Sequence, residues 1–135
     1  MQDLSSLSKQ DQELVEMGKQ HIKSRYQVDR TSIAAVLRTQ SGKIFTGINL
    51  KYQARGVSMC AARVALFTAI DTGETEFSIL VEVKYFPETD SYEILSSCGE
   101  CRQVFLSYAP FKEIVPSGSG VKKVEVSELL PYSYV

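Results

Sequence analysis

The three cysteines are the residues of this chain best suited to do chemistry. Cys60 stands alone, and Cys98 and Cys101 follow far downstream with the spacing C-x-x-C. Three thiolates can hold a zinc ion and leave one coordination position open, which a catalytic zinc needs in order to hold a water. The spacing therefore predicts a zinc site with hydrolytic potential. Buried core thiols, or a redox pair made by Cys98 and Cys101, are the alternatives that spacing alone leaves open.

The elements around the cysteines follow from hydrophobic periodicity and turn residues. Their order predicts one mixed sheet with helices packed on its faces, an α/β fold. The predicted helices are 8–26, 59–72 and 98–108, and the predicted strands are 32–37, 43–48, 77–86, 113–115 and 121–126.

Both cysteine groups fall at predicted helix starts, Cys60 at the second helix and Cys98 and Cys101 at the third. The partial positive charge and free N–H groups of a helix N-terminus favour thiolate, the form that binds zinc. Arg63 and Arg102 lie close in sequence to these cysteines and are predicted to donate hydrogen bonds to their sulfurs.

Bulk composition sets limits on function. The chain has 135 residues, 44% hydrophobic and 23% charged, which predicts one domain over residues 1–135 with a real core. A net charge of -1 without a basic run argues against nucleic-acid binding, and no apolar stretch is long enough to span a membrane. Three cysteines and no visible secretory signal predict a reduced, cytoplasmic protein.

Residues 42–49, 60–65 and 98–104 resemble the small zinc-dependent cytidine deaminases and their relative blasticidin S deaminase. The ending Glu128-Leu129-Leu130-Pro131 matches both, and Tyr134-Val135 leans toward the blasticidin enzyme. The resemblance implies a three-layer α/β/α domain with a mixed sheet of about five strands. It also implies a homotetramer with shared active sites, and hydrolytic replacement of the C4 amine of a cytosine ring with release of ammonia.

The resemblance also implies roles for individual residues. Asn49 matches the asparagine that binds the sugar 3'-hydroxyl, Arg63 matches the arginine that donates to ligand sulfurs, and the backbone at Ala61 would contact the pyrimidine. The zinc ligands implied by position are Cys60, Cys98 and Cys101.

One departure concerns the reaction itself. Ala62 stands where the family has its catalytic glutamate, and a methyl group cannot carry protons. Loss of general acid–base help costs roughly 10²–10⁴-fold in rate. We therefore expect this chain to bind zinc and substrate but to be nearly inactive. Retention of all three cysteines favours an introduced change at this position over natural decay.

Three further residues bear on the substrate. Lys51 replaces a glutamate that grips the ribose and would suit an anionic group on a tailored nucleoside, or be an exposed loop lysine. Ser97 replaces a proline before the C-x-x-C and is expected to cap the third helix, with its hydroxyl near the substrate. Tyr132 is a candidate lid over a neighbouring site.

Three functions follow. The leading one is a zinc-dependent deaminase of cytidine or another cytosine nucleoside, or of a blasticidin-S-type antibiotic, disabled at Ala62. The second is a non-catalytic zinc-binding module for binding or oligomerisation. The third, and weakest, is a thiol-redox protein.

Overall fold

The computed structural model describes residues 1–134, so Val135 of the C-terminal resemblance lies outside the described residues. Helices and strands occur in nearly the predicted order. The helices are α1 (Lys9–Arg25), α2 (Ala61–Asp71) and α3 (Gly99–Leu106), with single 3-10 turns at Arg55–Val57 and Val126–Leu129. The strands are β1 (Ile33–Thr39), β2 (Ile44–Ile48), β3 (Phe77–Phe86), β4 (Ser91–Leu95), β5 (Lys112–Ser117) and β6 (Gly120–Glu125).

The strands form one mixed sheet in the order β2-β1-β3-β5-β6, with β4 also paired to β3. The β3–β5 pair is parallel and the other pairs are antiparallel, which confirms the predicted mixed sheet. The N-terminal part of β3 pairs with β5 and its C-terminal part, from Glu82 onward, pairs with β4. The sheet thus has six strands rather than about five. The missing prediction was β4, whose only fully buried side chain is Ile94 and whose periodicity is therefore weak.

Helices cover both sides of the sheet, as expected for a three-layer α/β/α domain. On one side, here called the α1 face, Leu14 and Val15 of α1 pack with Val36 and Val83 of the sheet. The opposite side, the α2/α3 face, is formed by a second hydrophobic cluster. This second cluster includes Ala65, Leu66, Leu37, Leu80 and Phe105.

The start of α2 lies very close to β2. A Cβ atom on Gly47 would lie 2.4 Å from the backbone nitrogen of Ala65 and 2.6 Å from the carbonyl oxygen of Ala61. Real Cβ atoms do not approach backbone so closely, so glycine is required there. This contact fixes the first turn of α2, and with it Cys60, against the sheet.

Ser8 caps the N-terminus of α1: its hydroxyl accepts from the Asp11 backbone N–H at 3.1 Å. The Asp11 side chain does not complete a capping box, however. Its carboxylate accepts from Arg38 Nη2 at 3.0 Å and from Lys123 Nζ at 2.8 Å on the α1 face. None of the helices within residues 1–134 is long and apolar enough to cross a membrane.

Candidate metal centre and active site

The three cysteine sulfurs converge where α2 and α3 begin. Cys60 and Cys98 are the N-cap residues of the two helices, and Cys101 lies in the first turn of α3. The Sγ atom of Cys98 is 3.5 Å from that of Cys60 and 3.5 Å from that of Cys101. Within residues 1–134 these cysteines are the one group of three potential metal ligands whose atoms all lie within 4.8 Å of one another.

The sulfur positions fit a tetrahedral zinc. Zinc–sulfur bonds of about 2.3 Å in tetrahedral geometry require sulfurs about 3.8 Å apart, close to the observed separations. Three ligands leave one position open, as the spacing predicted. A metal site at this point is therefore compatible with the residues present.

The local environment shifts the pKa values of Cys98 and Cys101 in opposite directions. Burial disfavours the thiolate of Cys98, but hydrogen bonds from the Cys101 and Glu100 backbone N–H groups, among others, outweigh it and lower the pKa of Cys98. Burial raises the pKa of Cys101. A cation bound between the sulfurs would favour both thiolates, since metal binding displaces thiol protons.

Only one of the two arginines predicted to contact the sulfurs does so. Arg63 Nη2 donates to Cys60 Sγ at 3.6 Å, as expected. The prediction for Arg102 was wrong: Nη1 donates to the Leu129 carbonyl at 3.1 Å and Nη2 to the Ser96 hydroxyl at 2.6 Å. Arg102 points along α3 toward the C-terminal segment, so it ties the 3-10 turn to the helix instead of tuning the sulfurs.

Cys60 and Cys98 line a pocket of about 390 Å³, and the buried Cys101 lies behind them. This volume falls in the ordinary range for small-molecule sites. The start of β1 and the segment that follows β2 line the same pocket. Its lining includes Cys60, Cys98, Ala61, Arg63, Glu82, Ile33, Asn49, Leu50, Lys51, Arg55, Ser96 and Glu100.

Asn49 and Ala61 both line this pocket. The side-chain oxygen of Asn49 accepts from the backbone N–H groups of Ser32 at 2.8 Å and Ile33 at 2.9 Å. These two bonds identify that atom as the oxygen and direct the amide nitrogen elsewhere. The residue therefore keeps its NH₂ group as a donor while its oxygen joins the segment after β2 to β1.

Lys51 also lines the pocket and is exposed, and its backbone N–H donates to the Arg30 carbonyl at 3.0 Å. Tyr132, the proposed lid, does not line the pocket of its own chain. Its side chain is fully exposed and its backbone has a φ of 56°. Tyr132 therefore stays a predicted lid for the pocket of a neighbouring chain.

Position 62 carries a buried methyl group beside a buried acid. Ala62 is fully buried in the first turn of α2, and its backbone N–H donates to Glu82 Oε1 at 3.2 Å. The second carboxylate oxygen of Glu82 accepts from the Ser97 hydroxyl at 3.0 Å. Glu82 comes from β3 and is only 6% exposed, yet it lines the pocket.

The expectations for Ser97 were wrong on both counts. Cys98, not Ser97, is the N-cap residue of α3, and no side chain caps that helix. Ser97 is buried and does not line the pocket, so its hydroxyl orients Glu82 instead of meeting a substrate. Its backbone N–H donates to Glu113 Oε2 at 2.9 Å. Ser97 thus links two buried glutamates.

These two glutamates have raised pKa values. Burial, together with the nearby charge of Glu113, raises the pKa of Glu82 to about 7. Burial likewise raises the pKa of Glu113, against the opposing hydrogen bonds from Ser97. A carboxyl group that titrates near neutral pH in a pocket is a common feature of acid–base sites.

Comparison with known proteins identifies the family of this chain. Residues 8–116 match the family model described as the cytidine and deoxycytidylate deaminase zinc-binding region. The chain belongs to the cytidine and deoxycytidylate deaminase family. The family domain binds zinc, and the cysteine cluster of this chain could hold that ion. The match therefore favours a metal site over a thiol-redox pair.

Relatives of this deaminase chain include two that act on different substrates by name. It is 33% identical to a blasticidin-S deaminase from Bacillus cereus, covering 96% of this chain and 95% of the relative. It is 30% identical to a cytidine deaminase from Halalkalibacterium halodurans, covering 78% of each. A crystal structure of cytidine deaminase from Burkholderia pseudomallei superposes with a TM-score of 0.74 at 25% identity, covering 95% of this chain and 100% of that one.

Sequence reasoning missed Glu82 as a site residue of this deaminase. A signal was present: Glu82 is the one charged residue in the otherwise apolar run Ile79–Val83. A charge inside a strand that is buried on both faces is costly unless it has a partner or a function. Only the structure, however, brings this strand position to the first turn of α2.

Proposed function

We propose that this chain catalyses the zinc-dependent hydrolytic deamination of a cytosine nucleoside. The observation that carries the proposal is a cluster of three cysteine sulfurs, of which Cys60 and Cys98 line a pocket of about 390 Å³. The family match supports the same reaction class.

Cys60, Cys98 and Cys101 would hold the zinc. A bound zinc supplies Lewis acidity and lowers the pKa of a water in its open position. Arg63 donates to the Cys60 sulfur at 3.6 Å and so offsets part of the negative charge of three thiolates.

The part of the pocket lined by Asn49 would bind the sugar. The Asn49 amide nitrogen is free of the two backbone bonds that occupy its oxygen and is suited to donate to a ribose hydroxyl oxygen. The Ala61 backbone, close to the cysteines, is suited to contact the pyrimidine ring. This arrangement would set the C4 amine toward the sulfur cluster.

The identity of the nucleoside depends on the charged mouth of the pocket. Lys51 and Arg55 are both exposed and line it. Cations there suit a substrate with an anionic substituent or a modified sugar more than plain ribose. The similarity to a blasticidin-S deaminase over 96% of this chain supports a blasticidin-S-type antibiotic as the alternative to cytidine.

A non-catalytic zinc module is the second candidate function, and the buried methyl group of Ala62 favours it. On that hypothesis the chain binds zinc and a nucleoside but turns over very slowly. We also propose assembly into a homotetramer in which the exposed Tyr132 of one chain reaches the pocket of another. Light scattering coupled to gel filtration would measure the assembly state directly.

Deamination of cytidine and of blasticidin S by the parent chain and by Ala62→Glu tests the function, with ultraviolet absorbance as the readout and zinc content measured in parallel. Turnover by either protein supports a deaminase, and the preferred substrate identifies the role of Lys51. Zinc binding without turnover by both proteins on both substrates would favour the non-catalytic module.

A further inference from the structure

We propose that Glu82 is the proton-carrying carboxylate of this site, reaching it from β3 in place of the glutamate that α2 lacks at Ala62. This inference rests on the proposed deaminase function and adds a residue to it. If it holds, Ala62 is one half of a relocated catalytic pair and does not disable the enzyme.

The geometry gives Glu82 the correct place. Its Oε1 atom lies 3.2 Å from the backbone nitrogen of Ala62, so the carboxylate lies beside the position whose side chain would otherwise supply it. Glu82 also lines the same pocket as Cys60 and Cys98. Glu82 therefore places a carboxylate against the first turn of α2, next to the residue at which the family carries its glutamate.

The other nearby acids are less suited to this role. Glu100 lines the pocket, but its side chain is 81% exposed and lies 3.6 Å from Arg63 in an ion pair. Glu113 is fully buried and does not line the pocket. Of the two acids that line this pocket, Glu82 and Glu100, only Glu82 is buried.

Two hydrogen bonds hold the Glu82 carboxylate and leave other acceptor positions of its oxygens free. The Ala62 N–H and the Ser97 hydroxyl each donate to one carboxylate oxygen, which fixes the orientation of the group. An ionised carboxylate has about four acceptor positions, so two remain for a water or a protonated intermediate. Its oxygens are not part of the cluster of ligand atoms within 4.8 Å formed by the three cysteines, which leaves the fourth metal position open.

In the proposed reaction, Glu82 carries both protons of a water to the cytosine ring and its amine. A water adds its oxygen to C4 of the cytosine ring and gives one proton to the carboxylate, which passes it to ring N3. The second water proton follows through the same carboxylate to the C4 amine. The C4–N bond then breaks, ammonia leaves with the bonding pair, and the C4–O bond becomes a carbonyl. The raised pKa of Glu82, about 7, is compatible with both taking up and releasing a proton.

The test compares the parent with Glu82→Gln, Glu113→Gln, Ala62→Glu and the double variant Ala62→Glu/Glu82→Gln. Glutamine keeps the size of Glu82 and an acceptor for the Ala62 N–H but cannot carry a proton. Glu113→Gln is the matched control, since it neutralises the adjacent buried acid on the same face of the sheet. Each protein is measured for kcat and KM on cytidine and blasticidin S, for zinc per chain, and for the affinity of the product uridine.

We expect Glu82→Gln to lower kcat by roughly 10²–10⁴-fold with KM, zinc content and uridine affinity close to the parent values. Glu113→Gln should lower kcat less than about tenfold. The double variant should recover much of the lost kcat, because it returns a carboxylate from α2. A purely structural role of Glu82 in holding the α2 N-terminus would not be rescued in this way.

Several outcomes would overturn the inference. An active parent whose Glu82→Gln form is equally active removes Glu82 from the reaction. Loss of zinc together with activity in Glu82→Gln would make the residue a metal ligand instead. If Glu82→Gln fails to fold, the double variant decides, and an inactive but folded, zinc-loaded double variant counts against the proposal.

The same experiment separates this inference from the proposed function. An inactive parent with an active Ala62→Glu single variant would leave the deaminase function standing and overturn the role of Glu82. Inactivity of the parent, the single variant and the double variant, all zinc-loaded, would overturn the proposed function and the inference together.

Discussion

The two faces of the sheet bury their acids with different partners. On the α1 face, Asp11 accepts hydrogen bonds from Arg38 and Lys123, and these outweigh the effect of burial and lower its pKa. On the α2/α3 face, Glu82 and Glu113 have raised pKa values because they are buried. Within residues 1–134 neither glutamate receives a hydrogen bond from a cationic side chain.

This difference separates an acid that stabilises from acids that remain reactive. The pKa of a carboxylate paired with two cations lies far below neutral pH, so the group stays ionised there and does not exchange protons usefully. A buried carboxyl without a cation carries an energetic cost, which proteins retain mainly at functional sites. We therefore expect the buried acid on the α1 face to contribute to stability. The buried acids on the α2/α3 face are expected to serve the chemistry of the site.

The largest expected effect is the loss of the metal site on the α2/α3 face. Cys98→Ser removes a thiolate whose Sγ atom is 3.5 Å from both other sulfurs. Because a serine hydroxyl is a poor zinc ligand, we expect substoichiometric zinc and no measurable turnover. Zinc analysis and the cytidine and blasticidin S assays measure both. Full zinc content in Cys98→Ser would contradict the three-thiol site.

The next effect is a loss of stability on the α1 face. Asp11→Asn removes the charge that pairs with Arg38 and Lys123, and the Arg38 side chain is only 14% exposed. Breaking a buried pair from one side costs about 3 kcal/mol. Urea unfolding of parent and variant would measure the change in the free energy of unfolding. Zinc content should be the same in both, and a variant with impaired zinc binding would show that the two faces are not independent.

The pH dependence of this effect has a defined sign. The folded pKa of Asp11 is lowered from 3.8, so its contribution to stability is complete above that value and is lost as the pH falls through the folded pKa. The difference in unfolding free energy between parent and Asp11→Asn should therefore shrink in acid. A constant difference from pH 7 to pH 3 would contradict the ion-pair explanation.

The smallest effect, of opposite sign, is expected for Glu113→Gln. The folded pKa of Glu113 is raised from 4.5, so the stability that it contributes is present below that value and lost as the pH rises toward the folded pKa. Glutamine does not titrate. Relative to the parent, the metal-free variant should gain stability between pH 5 and pH 8 in urea unfolding. A decline in relative stability over that range would place Glu113 among the paired acids.

Much of the fold could be predicted from sequence because its signals are local. The start of α1 next to Ser8 and the full extent of β3 both follow from periodicity and helix-start residues. The short β4 was missed, since it has one fully buried residue and pairs with the distal part of β3. Strand pairing of that kind depends on partners distant in sequence.

The candidate site likewise has features that the sequence predicted and features that it did not. The cysteine triad and the Arg63 contact to Cys60 follow from spacing on helices, where neighbouring positions lie on one face. The misassigned roles of Arg102 and Ser97 depend on long-range partners, namely Leu129 and Glu82. Residue type near a motif did not reveal which atom each side chain would reach.

The sequence by itself determined that three thiols would gather at two helix starts and that position 62 would carry no carboxylate. Those properties depend on residue identity and helical spacing, which are local. Only the tertiary structure decided that Glu82 of β3 lies against the Ala62 N–H, because the packing of α2 on the sheet brings together residues far apart in sequence. The physical reason is that burial and proximity, which set both the pKa and the reach of a carboxylate, arise from packing between elements and not from any single one.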